Sequence, residues 1–177
     1  VVFKDASTNK GGVTSSSKEV LAALTLDDEE FDKLMCVKDP DNVPEFYDTY
    51  ATQIQDLVEE NARLEYRALV KEHAAGRGRR TELTDVLSSK INVLVDAIED
   101  SDLFENHAIR DPMLARCVPP ILIEHVGSVQ ALVDRLPEAY AKAMFSSSLA
   151  SYYVYTSGIA TNEFSFFDFV RKVIGDE

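Results

Sequence analysis

Asn9, Gly11, Gly12, Val13 and Ser16 lie in one short run, "DASTNKGGVTSSSKEV" from Asp5 to Val20, in which two glycines precede four hydroxyl residues and a helix-like stretch. Glycine reaches backbone torsions closed to other residues and lets a ligand come close to the main chain. A helix that begins just beyond such glycines aims unpaired N–H groups at the ligand, an arrangement suited to an anion. Ser15, Ser16 and Ser17 add hydroxyl donors, although serines at a helix start also serve as plain caps. The residues by themselves leave two readings open, a ligand loop and an ordinary strand-to-helix turn.

Other chemistries fit less well. A phosphate-binding loop needs G-x-x-x-x-G-K followed by Ser or Thr, and here Val13, Thr14 and Ser15 stand where the second Gly-Lys belongs. Lys18 comes too late for that loop. "GRGRRT" from Gly76 has no third glycine and no preceding strand, so it is not a dinucleotide fingerprint and reads as a solvated connection. His73, His107 and His125 have neither a partner histidine at i+4 nor a nearby cysteine, which argues against a metal site. The carboxylates of Asp27 to Glu30 and Glu99 to Asp102 read as solvated helix ends rather than general acids.

The elements that position these residues are mostly helical. The chain has 177 residues, 45% of them hydrophobic, with seven glycines and six prolines, enough for a substantial core. A net charge of −13 repels phosphate backbones and anionic lipid, so nucleic acid is not an expected partner. No apolar run is long enough for a membrane span. Cys36 and Cys117 form no CxxC pair, which points to reduced thiols and an intracellular setting, cytoplasmic or mitochondrial. Because the sequence opens at Val1 inside a strand-like "VVF", it is expected to be a piece of a longer polypeptide.

Apolar residues recur at helical spacing along most of the chain. A first helix is expected from about Thr14 to Leu24, with Ser16 and Glu19 at capping-box spacing. A second spans Asp27 to Met35, its acidic start matched to the helix dipole. The longest runs from Pro44 to about Ala75; at 1.5 Å per residue it is about 45 Å long, enough to bridge two bodies. A helix around Leu83 to Ile98 returns beside it as a hairpin. Beyond Asp111, the prolines at 112, 119, 120 and 137 are expected to cut the chain into short helices. A longer helix with many small residues then starts near Pro137. Tyr152 to Phe169 adds a large aromatic surface, read first as core and second as an interface.

The run Val2 to Leu24, "VFKDASTNKGGVTSSSKEVLAAL", resembles the strand, loop and helix of NAD-specific glutamate dehydrogenases of the large class. The shared core is Asn, any residue, Gly-Gly-Val, two residues, Ser, two residues, Glu, met here by Asn9, Gly11, Gly12, Val13, Ser16 and Glu19. "LSSKINVLVDAI" and "RLPEAYAKAMFSSSLASYYVY" are more diffusely similar to the C-terminal region of that class.

The resemblance implies a mainly α chain whose residues 1–38 end a Rossmann-type dinucleotide-binding domain with its strand-loop-helix piece, and whose residues 39–177 form a helical C-terminal region. It implies NAD as cofactor, glutamate and 2-oxoglutarate as ligands, and a homo-oligomer. Asn9, Gly11 and Gly12 then lie at the cofactor, while Val13 lines the glutamate pocket and Ser16 bonds the glutamate side-chain carboxylate. The family's catalytic lysine and aspartate and its pyrophosphate-binding turn belong to earlier sequence, so no catalytic residue is assigned here. The competing reading is a helical interaction or regulatory module without a small-molecule site.

Overall fold

The computed structural model describes residues 3–4, 10–160 and 163–175. Among them are nine α-helices: α1 Lys10–Thr25, α2 Asp28–Leu34, α3 Glu45–Ala74, α4 Arg80–Glu99, α5 His107–Cys117, α6 Pro120–Val126, α7 Val129–Arg135, α8 Glu138–Ser157 and α9 Glu163–Val173. A 3-10 turn, Leu103–Glu105, separates α4 from α5. The mainly α expectation holds, but the strand-loop-helix opening is not seen. Phe3 and Lys4 carry no regular structure, no strand occurs among the described residues, and Val1 and Val2 lie outside them. None of the described helices is long and apolar enough to cross a membrane.

Local chemistry sets the boundaries. The capping box expected at Ser16 and Glu19 does not form, because α1 begins at Lys10 and both residues are inside it. A capping box does form one helix later. The Asp27 carboxylate accepts the Glu30 N–H at 2.8 Å and the Glu30 carboxylate accepts the Asp27 N–H at 3.1 Å, satisfying two donors that a helix start leaves open. Gly76 and Gly78, at φ 73° and 153°, turn α3 back into α4, completing the expected hairpin. Pro119 and Pro137 precede α6 and α8, where a missing N–H costs nothing. Pro112 departs from expectation and sits inside α5. Its ring is on the exposed side of that helix, so water can take the Ala108 carbonyl that loses its amide partner.

α3 is a rod of about 45 Å that serves two hydrophobic clusters. Near its start, Tyr50 and Ile54 join Leu21, Leu26, Met113, Leu114, Leu122, Leu132, Phe145 and Leu149 in the larger core. Near its end, Ala68 and Leu69 join Leu83, Leu87, Tyr153 and Val154 in the smaller one. Residues 59–63 between them are exposed. α8 runs through both clusters, and its small residues do what their size predicts. Ala141, Ser146 and Ala150 are fully buried, so neighbouring helices approach its backbone closely.

The aromatic C-terminus divides in two. Tyr153 packs edge-on against Phe166 at 5.2 Å and meets Phe169 at the same distance, as core. Phe164 and Phe167 face outward, 80% and 66% exposed.

Where α3 ends, the Glu72 carboxylate is fully buried. It accepts from Arg77 Nη1 at 2.5 Å and from the Ile159 N–H at 3.3 Å, while Lys90 of α4 donates to the Ile159 carbonyl at 2.7 Å. Burial pushes the Lys90 ammonium down from its ordinary pKa, and the nearby Glu72 charge opposes that. Gly158 leaves the room for this contact: a Cβ there would lie 2.2 Å from Glu72 Oε1. Its torsions, φ 91° and ψ −169°, belong to a region that side chains other than hydrogen avoid. Gly127 has a similar φ of 97° with nothing within 4 Å of an added Cβ. Gly127→Ala is therefore expected to cost about 1–2 kcal/mol, the left-handed backbone penalty alone. Gly158→Ala is expected to cost well over that, read as a larger drop in the urea unfolding midpoint; equal costs would show that the Glu72 contact does not constrain this corner.

Candidate functional site

The glycine pair sits differently from the sequence expectation. Gly11 and Gly12 lie in the first turn of α1 rather than in a loop before it, and neither has positive φ; the described glycines that do are 76, 78, 127, 158 and 175. Their use is thus space rather than unusual torsion. A Cβ on Gly12 would meet nothing within 4 Å, whereas one on Gly11 would touch Val58 Cγ1 at 3.5 Å. Gly12 therefore presents bare backbone to an open volume at the positive end of a helix, where unpaired N–H groups gather. Asn9 lies outside the described residues.

Val13 and Ser16 share one outward face of α1, as a three-residue step on a helix requires. Val13 is 75% exposed and Ser16 is also exposed. The three serines differ in how tightly their hydroxyls are held. Ser17 donates to the Thr14 carbonyl at 2.7 Å, whereas Ser16 shares its proton between the Gly12 and Val13 carbonyls at 3.1 and 3.2 Å. Such long, divided back-bonds within one helix are weak. A rotation about one side-chain bond redirects the Ser16 proton outward. This face can therefore offer a hydroxyl donor, an apolar side chain and a bare helix N-terminus within two turns.

What aims that face is a pair of tyrosines that sequence reasoning did not single out. Tyr50 of α3 donates its phenol proton to the Lys18 carbonyl at 2.6 Å, and Tyr140 of α8 donates to the Ser17 carbonyl at 3.2 Å. Two bonds on adjacent carbonyls fix the rotation of α1 about its own axis. Burial pushes both phenols above their ordinary pKa, so each keeps the proton it donates. Their signal in the sequence is only that a buried tyrosine needs a partner for its hydroxyl.

The remaining candidates are structural. Glu30 accepts from His125 Nε2 at 3.0 Å and from Arg135 Nη1 at 3.2 Å. The Asp27 N–H first, then these two side chains, hold its carboxyl below the ordinary range; it stays ionised and joins α2, α6 and α7. His73 Nδ1 lies 2.9 Å from the Gly78 carbonyl, and His107 Nδ1 lies 3.2 Å from Arg110. Arg77, read from sequence as part of a solvated loop, is the partner of Glu72. No group of three His, Cys, Asp or Glu side chains among the described residues could hold a metal ion.

Comparison with known proteins bears on what this face serves. The Glutamate/Leucine/Phenylalanine/Valine dehydrogenase family matches residues 1–77, which include α1, α2 and α3. Glutamate dehydrogenase 2 of Dictyostelium discoideum is 48% identical over 173 residues, which are 98% of this chain and 16% of that protein. The NAD-specific glutamate dehydrogenase of Neurospora crassa is 43% identical over 176 residues, 99% of this chain and 17% of its own length. The NAD-specific glutamate dehydrogenase of Saccharomyces cerevisiae is 36% identical over 173 residues, 96% of this chain and 16% of that protein. The chain is thus similar, nearly from end to end, to one sixth or so of much longer proteins. No solved structure matches it.

Proposed function

We propose that the chain is part of an NAD-dependent glutamate dehydrogenase, which oxidises glutamate to 2-oxoglutarate and ammonia. The observation that carries this reading is the 36–48% identity to glutamate dehydrogenases across 96–99% of the chain. The outward face of α1 supports it, because Val13, Ser16 and the bare Gly12 backbone offer what an apolar stem, a side-chain carboxylate and a close-lying cofactor each need. In this reading Val13 packs on the glutamate methylenes and Ser16 donates to the side-chain carboxylate. Asn9, Gly11 and Gly12 hold the nicotinamide end of NAD, which supplies the hydride acceptor when bound. The chain's task is positioning, since hydride transfer requires donor and acceptor to be held face to face.

The catalytic lysine and aspartate are assigned to preceding sequence of the same polypeptide, with residues 1–38 ending the dinucleotide-binding domain and 39–177 forming its helical support. The alternative, a helical module with no small-molecule site, is not favoured: the family match runs through the very helix that bears Val13 and Ser16. The outward Phe164 and Phe167 fit subunit contacts in a homo-oligomer, because exposed apolar side chains of that size gain from being covered.

Three outcomes are expected. Ser16→Ala in the whole enzyme raises the glutamate KM by roughly ten- to a hundredfold, the worth of one hydrogen bond to a charged group, about 1.5–3 kcal/mol; an unchanged KM removes Ser16 from the substrate site. The 177-residue chain alone forms no NADH from glutamate and NAD, and measurable formation would place catalytic groups within it. Light scattering finds the whole enzyme oligomeric, and a monomer would end the assembly reading.

A further inference from the structure

On the inward side of α1, away from Val13 and Ser16, lies a cavity of about 330 Å³ walled by α1, α3, α5 and α8. Lys18 reaches it from α1. The residue is only 9% exposed, and among the described residues its ammonium has neither a hydrogen-bond acceptor nor a carboxylate in ion-pairing range. Its stem is buried while the ammonium reaches the open cavity, so its hydrogen bonds fall to water or to a ligand there rather than to a protein counter-charge. The Cys117 thiol on the same wall does not supply the missing charge, because burial pushes its pKa up and keeps it neutral.

The rest of the lining narrows the ligand. Arg116 stacks on the Tyr152 ring at 3.8 Å and meets Glu60 only at 3.9 Å, leaving guanidinium N–H groups to spare. The net charge of Lys18, Arg116 and Glu60 is a single positive one. Leu57, Leu64 and Met144 line the remaining wall. A singly charged head and an apolar body match this better than a doubly charged, strongly hydrated one.

We propose that this cavity binds a small monocarboxylate, its carboxylate on Lys18 and Arg116 and its hydrocarbon body against Leu57, Leu64 and Met144. Bound there, the ligand joins α1 to α3, α5 and α8 and stiffens the mounting of the helix that carries Ser16.

The test compares hexanoate, hexanamide and inorganic phosphate on the whole polypeptide that carries this chain, by ligand-observed NMR and melting temperature. Hexanoate is expected to bind and raise the melting temperature, hexanamide to do neither, and phosphate to bind more weakly. Lys18→Met, which keeps an unbranched apolar stem in the wall, is expected to weaken hexanoate about tenfold or more. Ser16→Ala should leave hexanoate affinity unchanged, which separates this cavity from the outward face and its failure from that of the substrate reading. If Lys18→Met does not fold, Ala143→Leu, at an exposed residue lining the cavity, narrows it and should give the same loss. No hexanoate response, an equal response to hexanamide, preference for phosphate, or undiminished hexanoate binding in either cavity variant overturns the proposal.

Discussion

The buried carboxylate of Glu72 is the constraint on which the helix arrangement turns. An ion of this kind pays a desolvation cost of several kcal/mol unless its partners are well placed, and here they come from three directions. Arg77 belongs to the loop that leaves α3, the Ile159 N–H to the chain that leaves α8, and Lys90 of α4 holds the other side of the Ile159 peptide. Satisfying that charge therefore ties the ends of α3 and α8 to α4. Gly158 is required because any side chain there would occupy the carboxylate's position. The smaller core of Ala68, Leu69, Leu83, Leu87, Tyr153 and Val154 closes beside this corner, its apolar burial adding strength to a geometry that the charge has specified.

From that corner α3 carries the geometry back from Glu72 to Tyr50, about six turns of helix, and so to α1. Its rigidity matters because the residues near its middle are exposed and contribute little packing of their own. At its far end Tyr50 donates to the Lys18 carbonyl, and from α8 Tyr140 donates to the carbonyl one residue earlier. Both helices that meet at Glu72 thus also hold α1. The direction in which Val13 and Ser16 face follows from those two bonds and from Leu21 and Ala22, fully buried on the opposite side. Glycine at positions 11 and 12 then keeps the open end of α1 free of side chains, a steric role rather than a torsional one.

Much of this was legible in the sequence. Helical spacing located the long α3, its return as α4 and the small-residue α8, because each buries a broad apolar stripe. The start of α1 was misread: Gly-Gly looks like a helix stop, yet at a first turn the amide groups are unpaired in any case and the usual cost of glycine inside a helix is reduced. Pro112 was misread for a related reason, since an exposed carbonyl can turn to water. The charged residues that organise the interior were also missed, although their register gives them away. Glu65, Ala68, Leu69 and Glu72 follow i, i+3, i+4, i+7 steps, and Lys18, Leu21, Ala22 and Thr25 do the same; all eight are buried. A charge on the apolar stripe of a helix was not singled out, although its phase placed it on the inward side.

Those buried charges are not equivalent, and the difference separates scaffold from site. Glu72 has a guanidinium and a backbone amide on its oxygens, so its burial is compensated within the chain and leaves nothing for a ligand. Lys18 is less deeply buried, 9% exposed, and opens into a cavity large enough for a small molecule, with Arg116 also in the lining and no protein anion at its ammonium. A fully paired ion specifies a fold; an unpaired one facing an accessible cavity specifies what can enter it.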